Sequence, residues 1–281
     1  MKISLITATY NSERNLQDCL RSVAAQDYPD IEHILIDGGS TDHTMKIVGD
    51  HPKVSKVLSE PDLGIYDAFN KGIKMATGEV IGFVHSDDIL AGTTVLSTVA
   101  GAFAPAGAAP ADNIHLGTAA QGKGQRAMRH NGGNRGNKHK VSGVYGNLIY
   151  VDAQNTDKVL RTWVSRPFKR KRVKNGWMPP HPALFLRREV YEKYGLFDPS
   201  FRIAGDYDFM LRIMLDPRTN LKKLPLTIVK MRKGGASTRN GQAILQKMKE
   251  DIVALKKNGI AAPFWALMGK NLRKLPQLLL R

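Results

Sequence analysis

One cysteine, Cys19, stands in the 281 residues. A disulfide within the chain is excluded, and nothing resembles a zinc site of clustered Cys and His. The expectation is a reducing, cytoplasmic setting, with Cys19 a small core residue on a helix. No stretch approaches the ~18–20 apolar residues that cross a bilayer. The opening MKISLITATYNSE breaks into polar residues almost at once and lacks a small-residue cleavage site, so it reads as a first strand rather than a leader. Glycine is plentiful elsewhere, yet TATYNSERN has none. The glycine-rich phosphate loops of dinucleotide-binding dehydrogenases and P-loop enzymes are therefore missing. So is a Gly-x-Ser-x-Gly elbow. Acidic residues are also scarce, 25 Asp and Glu against 42 Lys and Arg, for a net charge of +17. That excess implies a polyanionic neighbour: nucleic acid, an acidic membrane surface or phosphate-bearing substrates.

What is present is a regular alternation over residues 1–100. Residues 3–9 (ISLITAT) form an apolar, β-rich run. Asn11 or Ser12 can cap a helix on which Leu16, Cys19, Leu20 and Val23 recur at helical spacing. Further strands are expected over 32–37, 54–59 and 79–85, with a helix after the turn Gly38-Gly39-Ser40-Thr41-Asp42 and another over 64–76. Strand–helix alternation with short connections implies an α/β fold with a mainly parallel central sheet flanked by helices. Ligands of such sheets bind beyond the carboxyl ends of the strands. Thr9, Asp37, Glu60 and the pair Asp87-Asp88 all fall there.

Residues 101–143, rich in Gly and Ala and basic, lack any periodicity and read as a flexible basic insertion. A second β/α part follows over 144–239, and 240–281 reads as a basic amphipathic helical tail. In that tail Phe264, Trp265, Met268 and several leucines alternate with lysines, a pattern suited to an anionic membrane surface. A solvated helix packed on the domain remains the alternative. Lys169-Arg170-Lys171-Arg172 with Lys174 is either a solvated loop or a site for a lipid diphosphate and anionic headgroups.

The apolar run GFVH ends in two adjacent carboxylates, Asp87 and Asp88. Hard cations such as Mn²⁺ or Mg²⁺ take oxygen ligands, one or two of them protein carboxylates and the rest from substrate phosphates. A cation there relieves the repulsion of the pair and recruits a diphosphate.

Four stretches then carry a resemblance: ATYNSERNLQDCLRSVAAQ, IDGGSTDHT, SEPDLGIYDAFNKGIKMATGEVIGFVHSDD and HPALFLRREVYEKYGLFDPSFRIAGDYDFMLRI. In this order they resemble the family 2 inverting glycosyltransferases of GT-A fold, closest to the exopolysaccharide type of colanic-acid-like gene clusters. The resemblance implies a nucleotide-sugar donor, a divalent metal, a saccharide acceptor linked to a lipid, and peripheral attachment to the inner face of the cytoplasmic membrane. Nucleic acid is then not an expected partner. By resemblance Thr9 lies beside base or ribose, Asp37 contacts the base, and Glu60, Asp67, Asn70 and Lys71 belong to the donor site, with Lys71 either reaching a phosphate or lying on a solvated helix face. Asp87 is implied near the ribose and Asp88 on the metal. Asp206 of GDYDF matches the catalytic base, a role that can coexist with capping the helix that follows, and Asp208 stands close enough to be confused with it. His181 falls in the acceptor-side block, and Gly234-Gly235-Ala236-Ser237 is similar to a turn whose N–H groups meet phosphate. Many relatives carry a second acid at Gly38 and a glutamate at Gly205, and this chain departs from them at both. A nucleotidyltransferase and a basic nucleic-acid-binding protein stand as the competing readings.

Overall fold

A computed structural model describes residues 1–104, 140–234 and 241–273. In chain order the first elements are β1 (Ile3–Thr9), α1 (Leu16–Ala24), β2 (Ile31–Asp37), α2 (Thr44–Gly49), β3 (Lys56–Ser59), α3 (Ile65–Met75), β4 (Val80–Phe83), β5 (Asp88–Leu90) and α4 (Val95–Phe103). The second part contributes β6 (Gly143–Val151), β7 (Val159–Trp163), α5 (Arg170–Lys174), a 3₁₀ turn (His181–Ala183), β8 (Leu184–Arg187), α6 (Arg188–Tyr194), α7 (Gly205–Met214) and β9 (Leu221–Arg232). Two helices, α8 (Gly241–Lys257) and α9 (Pro263–Leu272), follow.

The strands form one sheet in the order β3-β2-β1-β4-β8-β6-β9-β5, with β7 added on β6. From β3 to β4 every pairing is parallel, as the helical crossovers of the first hundred residues require. Beyond β4 the sheet is mixed: β8 runs antiparallel to both β4 and β6, and β6 and β9 pair in parallel. Successive residues of β1 serve opposite faces. Leu5 joins Cys19, Val23 and Leu96 on one side, and Ile6 joins Phe69, Tyr207 and Met210 on the other. β4 and β8 approach closely at Gly82, where an added Cβ would stand 2.3 Å from the Phe185 ring.

Two boundaries move from the expected places. Residues 101–103 complete α4, with Ala102 and Phe103 buried, and Gly143 already begins β6. The middle of the insertion lies outside the described residues, as does Ser237. The expected tail is also more than an appendage over its described part. α8 packs on α7, burying Glu250, Asp251, Ala254 and Leu255, and α9 packs on α8. Among the described residues no helix is long and apolar enough to cross a membrane.

Candidate active site

The ends of β1, β2 and β3 carry a loop system that holds its own charges. Asp37 is fully buried. Its Oδ2 accepts the Gly39 and Ser40 N–H groups at 3.2 and 3.0 Å and the Ser59 hydroxyl at 2.7 Å, and its Oδ1 accepts the Ser40 hydroxyl. Asp37 thus shapes the Gly38–Ser40 turn at the end of β2, where the base contact is expected. Beside it, Thr9 is buried with its hydroxyl unpartnered among the described residues. The place of the missing second acid at Gly38 is also filled, since a Cβ there would lie 2.6 Å from Asp62 Oδ2.

Three more expected donor-site residues also brace the surrounding structure. Lys71 Nζ contacts Glu60 Oε1 at 2.9 Å and Asp67 Oδ2 at 3.3 Å, and donates to the Pro61 carbonyl at 3.0 Å. Lys71 thus joins α3 to the loop that carries Glu60 and Pro61. Asp67 in turn accepts the Leu63 N–H at 3.2 Å. Asn70 is buried and pairs both ends of its amide with one residue, donating to the Phe197 carbonyl at 2.9 Å and accepting the Phe197 N–H at 3.0 Å. That pairing ties α3 to the segment leading into α7.

The acid pair sits where β4 gives way to β5. Asp87 is half-buried, and Asp88 is fully buried with both carboxylate oxygens unpartnered among the described residues. Burial pushes the Asp88 carboxyl well above the ordinary carboxylate range, repulsion from Asp87 adds to this, and Arg232 opposes it. Arg232, itself buried, donates to the Asp87 carbonyl at 3.0 Å and pairs with Asp18. A buried, unbonded carboxylate is costly unless a cation satisfies it. An oxygen-only pair at a strand end thus fits Mn²⁺ or Mg²⁺. Among the described residues no group of three His, Cys, Asp or Glu gathers to hold a metal.

Opposite the pair stands the start of α7. Asp206, half-buried in its first turn, accepts the Tyr207 N–H at 2.8 Å and lies 3.4 Å from the Tyr66 hydroxyl, which also donates to the Ile203 carbonyl at 2.7 Å. A Cβ on Gly205 would sit 2.8 Å from the Tyr66 ring, so no acid can precede Asp206 while Tyr66 holds that place. Asp208 is settled as structural, fully buried and bonded to Arg212 at 2.7 Å and Asn258 at 2.9 Å. His181 is buried among Phe69, Phe83 and Phe197, with its ring 6.4 Å from that of His85. Burial lowers its pKa to about 4, with the Asp206 charge opposing and His85 adding to the fall, so the ring is neutral near pH 7. Burial likewise lowers His85, against the attraction of Asp87 and Asp206. Asp87, His85, His181 and Asp206 thus share one electrostatic neighbourhood.

Against known proteins, residues 4–195 match the model of Glycosyl transferase family 2. The chain belongs to that family. An uncharacterized glycosyltransferase of Mycobacterium tuberculosis is 32% identical over 76% of this chain and 69% of its own length. A PGL/p-HBAD biosynthesis glycosyltransferase of Mycobacterium bovis is 29% identical over 76% and 70%. Among solved structures, Staphylococcus aureus TarS 1-349 in complex with UDP-GlcNAc superposes with a TM-score of 0.62 at 19% identity, covering 98% of this chain and 73% of that one. The mannosyltransferase PcManGT from Pyrobaculum calidifontis, in complex with GDP-Man and Mn²⁺, gives 0.57 at 17%, covering 98% and 74%. This glycosyltransferase spans 44% of the longer S. aureus TarS chain. These likenesses establish the GT-A-like fold.

Several residues of this family 2 glycosyltransferase escaped the sequence reading. Tyr66 and His85 lie inside stretches that carry the resemblance, but nothing local marks their side chains as facing Asp206. Arg232 ends a strand whose partner begins with Asp88. Glu250, on α8, accepts the N–H groups of Arg202, Ile203 and Ala204 at 3.1, 2.8 and 2.8 Å, immediately before the helix that bears Asp206.

Proposed function

We propose that this glycosyltransferase moves a sugar, with inversion, from a nucleotide-diphosphate sugar to a saccharide acceptor linked to a lipid, with Asp206 as general base. The observation that carries this reading is the shared electrostatic neighbourhood of Asp87, His85, His181 and Asp206, with the carboxylate of Asp88, next to Asp87, unbonded among the described residues. Asp88, with Asp87, holds Mn²⁺ or Mg²⁺ in this reading. Such an ion, when bound, supplies the charge that the departing diphosphate needs.

Asp206 meets the demands on a base for this chemistry. Its carboxylate accepts one backbone N–H and meets the Tyr66 hydroxyl at 3.4 Å, so an acceptor hydroxyl can still donate to it. An ordinary carboxylate does not strip a hydroxyl in advance; it takes the proton as the new C–O bond forms. Neutral His181 and His85, set among phenylalanine rings, exclude water and offer hydrogen bonds without adding a competing charge. The complexes of the two structural neighbours with UDP-GlcNAc and with GDP-Man and Mn²⁺ support a donor of this class.

Placement on the inner face of the cytoplasmic membrane is supported by the described part of the tail. Phe264 and Trp265 are 61% and 70% exposed on α9, next to the basic α5. Large apolar rings displayed to solvent beside lysines suit a headgroup layer.

Calorimetric titration with UDP, GDP and dTDP, each with and without Mn²⁺, tests the donor reading. One nucleotide is expected to bind in a metal-dependent way, and Asp88→Ala to abolish the dependence. Asp206→Asn is expected to lower kcat by about 10²–10⁴-fold at unchanged donor affinity. No nucleotide bound under any condition, or full turnover in Asp206→Asn, would refute the assignment.

A further inference from the structure

Asp88 opens β5, which is three residues long and, among the described residues, pairs with β9 alone at the edge of the sheet. An edge strand has one row of backbone groups without a ladder partner, so the turn that carries Asp87 needs support from side chains. Arg232, the last residue of β9, supplies it. Met231 is the ladder partner of Asp88, which sets Arg232 beside that turn. The Arg232 side chain is buried, and its fork divides. One Nη donates to the Asp87 carbonyl at 3.0 Å, and the other bonds the Asp18 carboxylate on α1. α1 also holds the far end of β5, where the Ser22 hydroxyl accepts the Leu90 N–H at 3.1 Å. One guanidinium thus joins β9, the acid-bearing turn and α1, a task for a planar fork with two separate ends.

Asp88 feels the positive charge of Arg232, yet among the described residues neither Asp88 oxygen nor the Arg232 Nε has a bonding partner. A buried guanidinium beside a buried carboxylate pairs with it unless another group holds the fork. Here that group is Asp18, half-exposed on α1. Cations compete for carboxylate oxygens, so an Arg232 fork turned onto Asp88 would occupy the atoms that a hard divalent ion takes as ligands.

We propose that Asp18 and Arg232 are a positioning pair for the metal-binding turn: Arg232 fixes the Asp87 carbonyl, and Asp18 keeps the guanidinium off Asp88. The pair deepens the metal reading above and rests on it. Neither residue is a metal ligand, and neither touches the donor in this assignment; both act through the turn.

Two binding measurements on the full chain test this without turnover. Electron paramagnetic resonance of free Mn²⁺ reads metal affinity, and calorimetry with UDP, GDP and dTDP, each with and without Mn²⁺, reads metal-dependent nucleotide binding. Groups that orient metal ligands are worth about 10–100-fold in metal affinity. Arg232→Lys keeps the charge but lacks the fork, and is expected to weaken Mn²⁺ binding and Mn²⁺-dependent nucleotide binding by about that factor. Asp18→Ala is expected to do the same from a half-exposed position on another element, so it carries the test if Arg232→Lys fails to fold. Nucleotide binding without metal is expected to hold in both. The double variant is expected to bind Mn²⁺ no more weakly than the weaker single one, because both residues act through one fork. Losses that add, as removal of charge alone would give, overturn the pairing. Unchanged Mn²⁺ affinity in Asp18→Ala overturns it as well. A wild-type chain whose nucleotide binding ignores Mn²⁺ instead overturns the metal reading, which separates the two failures.

Discussion

Glu250→Gln is a near-isosteric change whose cost follows from four hydrogen bonds. The Glu250 side chain is buried, and its Oε2 accepts two N–H groups, from Ile203 and Ala204, both at 2.8 Å. Oε1 accepts the Arg202 N–H at 3.1 Å and the Gln246 amide at 2.8 Å. Burial raises the Glu250 pKa, but these bonds outweigh it and hold the carboxyl below its usual range. A glutamine has a single acceptor oxygen, so in either orientation its NH₂ faces two donors. Bonds to a charged group contribute ~1.5–3 kcal/mol each, and part of that is recovered by relaxation, so the net loss is about 2–4 kcal/mol. At ~2–4 °C per kcal/mol for a chain of this size, Tm should fall by about 4–16 °C. Because the freed segment carries Ala204 and leads into Asp206, kcat should fall as well, while donor affinity holds. The pH dependence has a definite sign. A carboxyl with a depressed folded pKa stabilises above its unfolded pKa, near 4.5, and loses that contribution as pH falls through the folded value. The gap in Tm between wild type and variant should therefore be full at pH 7 and close on acidification. Differential scanning calorimetry across pH 3–7 with parallel turnover assays reads all of this. A variant that melts within a degree of wild type at pH 7 and turns over normally would refute the claim that α8 positions the base.

Two other substitutions probe opposite ends of the sheet. Gly205→Ala drives a methyl to 2.8 Å from the Tyr66 ring; overpacking of this kind costs ~1–3 kcal/mol, and displacement of Tyr66 from Asp206 should lower kcat at unchanged donor affinity, with unaltered kcat and Tm contradicting the close fit. Glu32 lies at the far edge, where bonds from Lys56, Ser4 and Thr77 overcome burial, the largest influence, and bring its pKa to about 2. Its stabilisation is present above pH 4.5 and lost between 4.5 and 2, so Glu32→Gln should cost about 3 kcal/mol at pH 7 and little at pH 2, and an acid-unfolding curve identical to wild type would count against it.

The parts of the fold visible in the sequence are those dictated by local pattern. Leu16, Cys19, Leu20 and Val23 recur every three or four residues, and all four are buried under α1. The apolar run of β1 likewise sits in the middle of the parallel sheet, covered on both faces. β5 was not legible because three residues are too few to show a period, and its partner β9 lies more than a hundred residues away. The site residues divide by the same rule. Lys71 could have been read as bound to Asp67 from their i,i+4 spacing on one helix. Asp37 before Gly-Gly-Ser is a signal for a side chain that folds back on its own turn. In contrast, the partner of Asn70 is 127 residues distant and the loop held by Glu250 is 46 to 48 away. Only the folded sheet brings those groups together.

The placement of α8 and α9 changes what a basic amphipathic tail means in this protein. Amphipathicity requires one apolar face, and on α8 two carboxylates interrupt it. Glu250 turns toward the segment before α7, and Asp251 toward Lys247 and Lys270. Burying two acids on a helix is expensive unless each one is fully matched, and each is matched by groups that border Asp206. The opposite sides of the same helices leave Leu245, Val253, Phe264 and Trp265 in solvent. A surface helix that only coated the domain would place its acids outward and its large rings inward. The inverse arrangement is the one that the proposed function requires, in which one face of these helices braces the segment before Asp206 and the other is left for a headgroup layer.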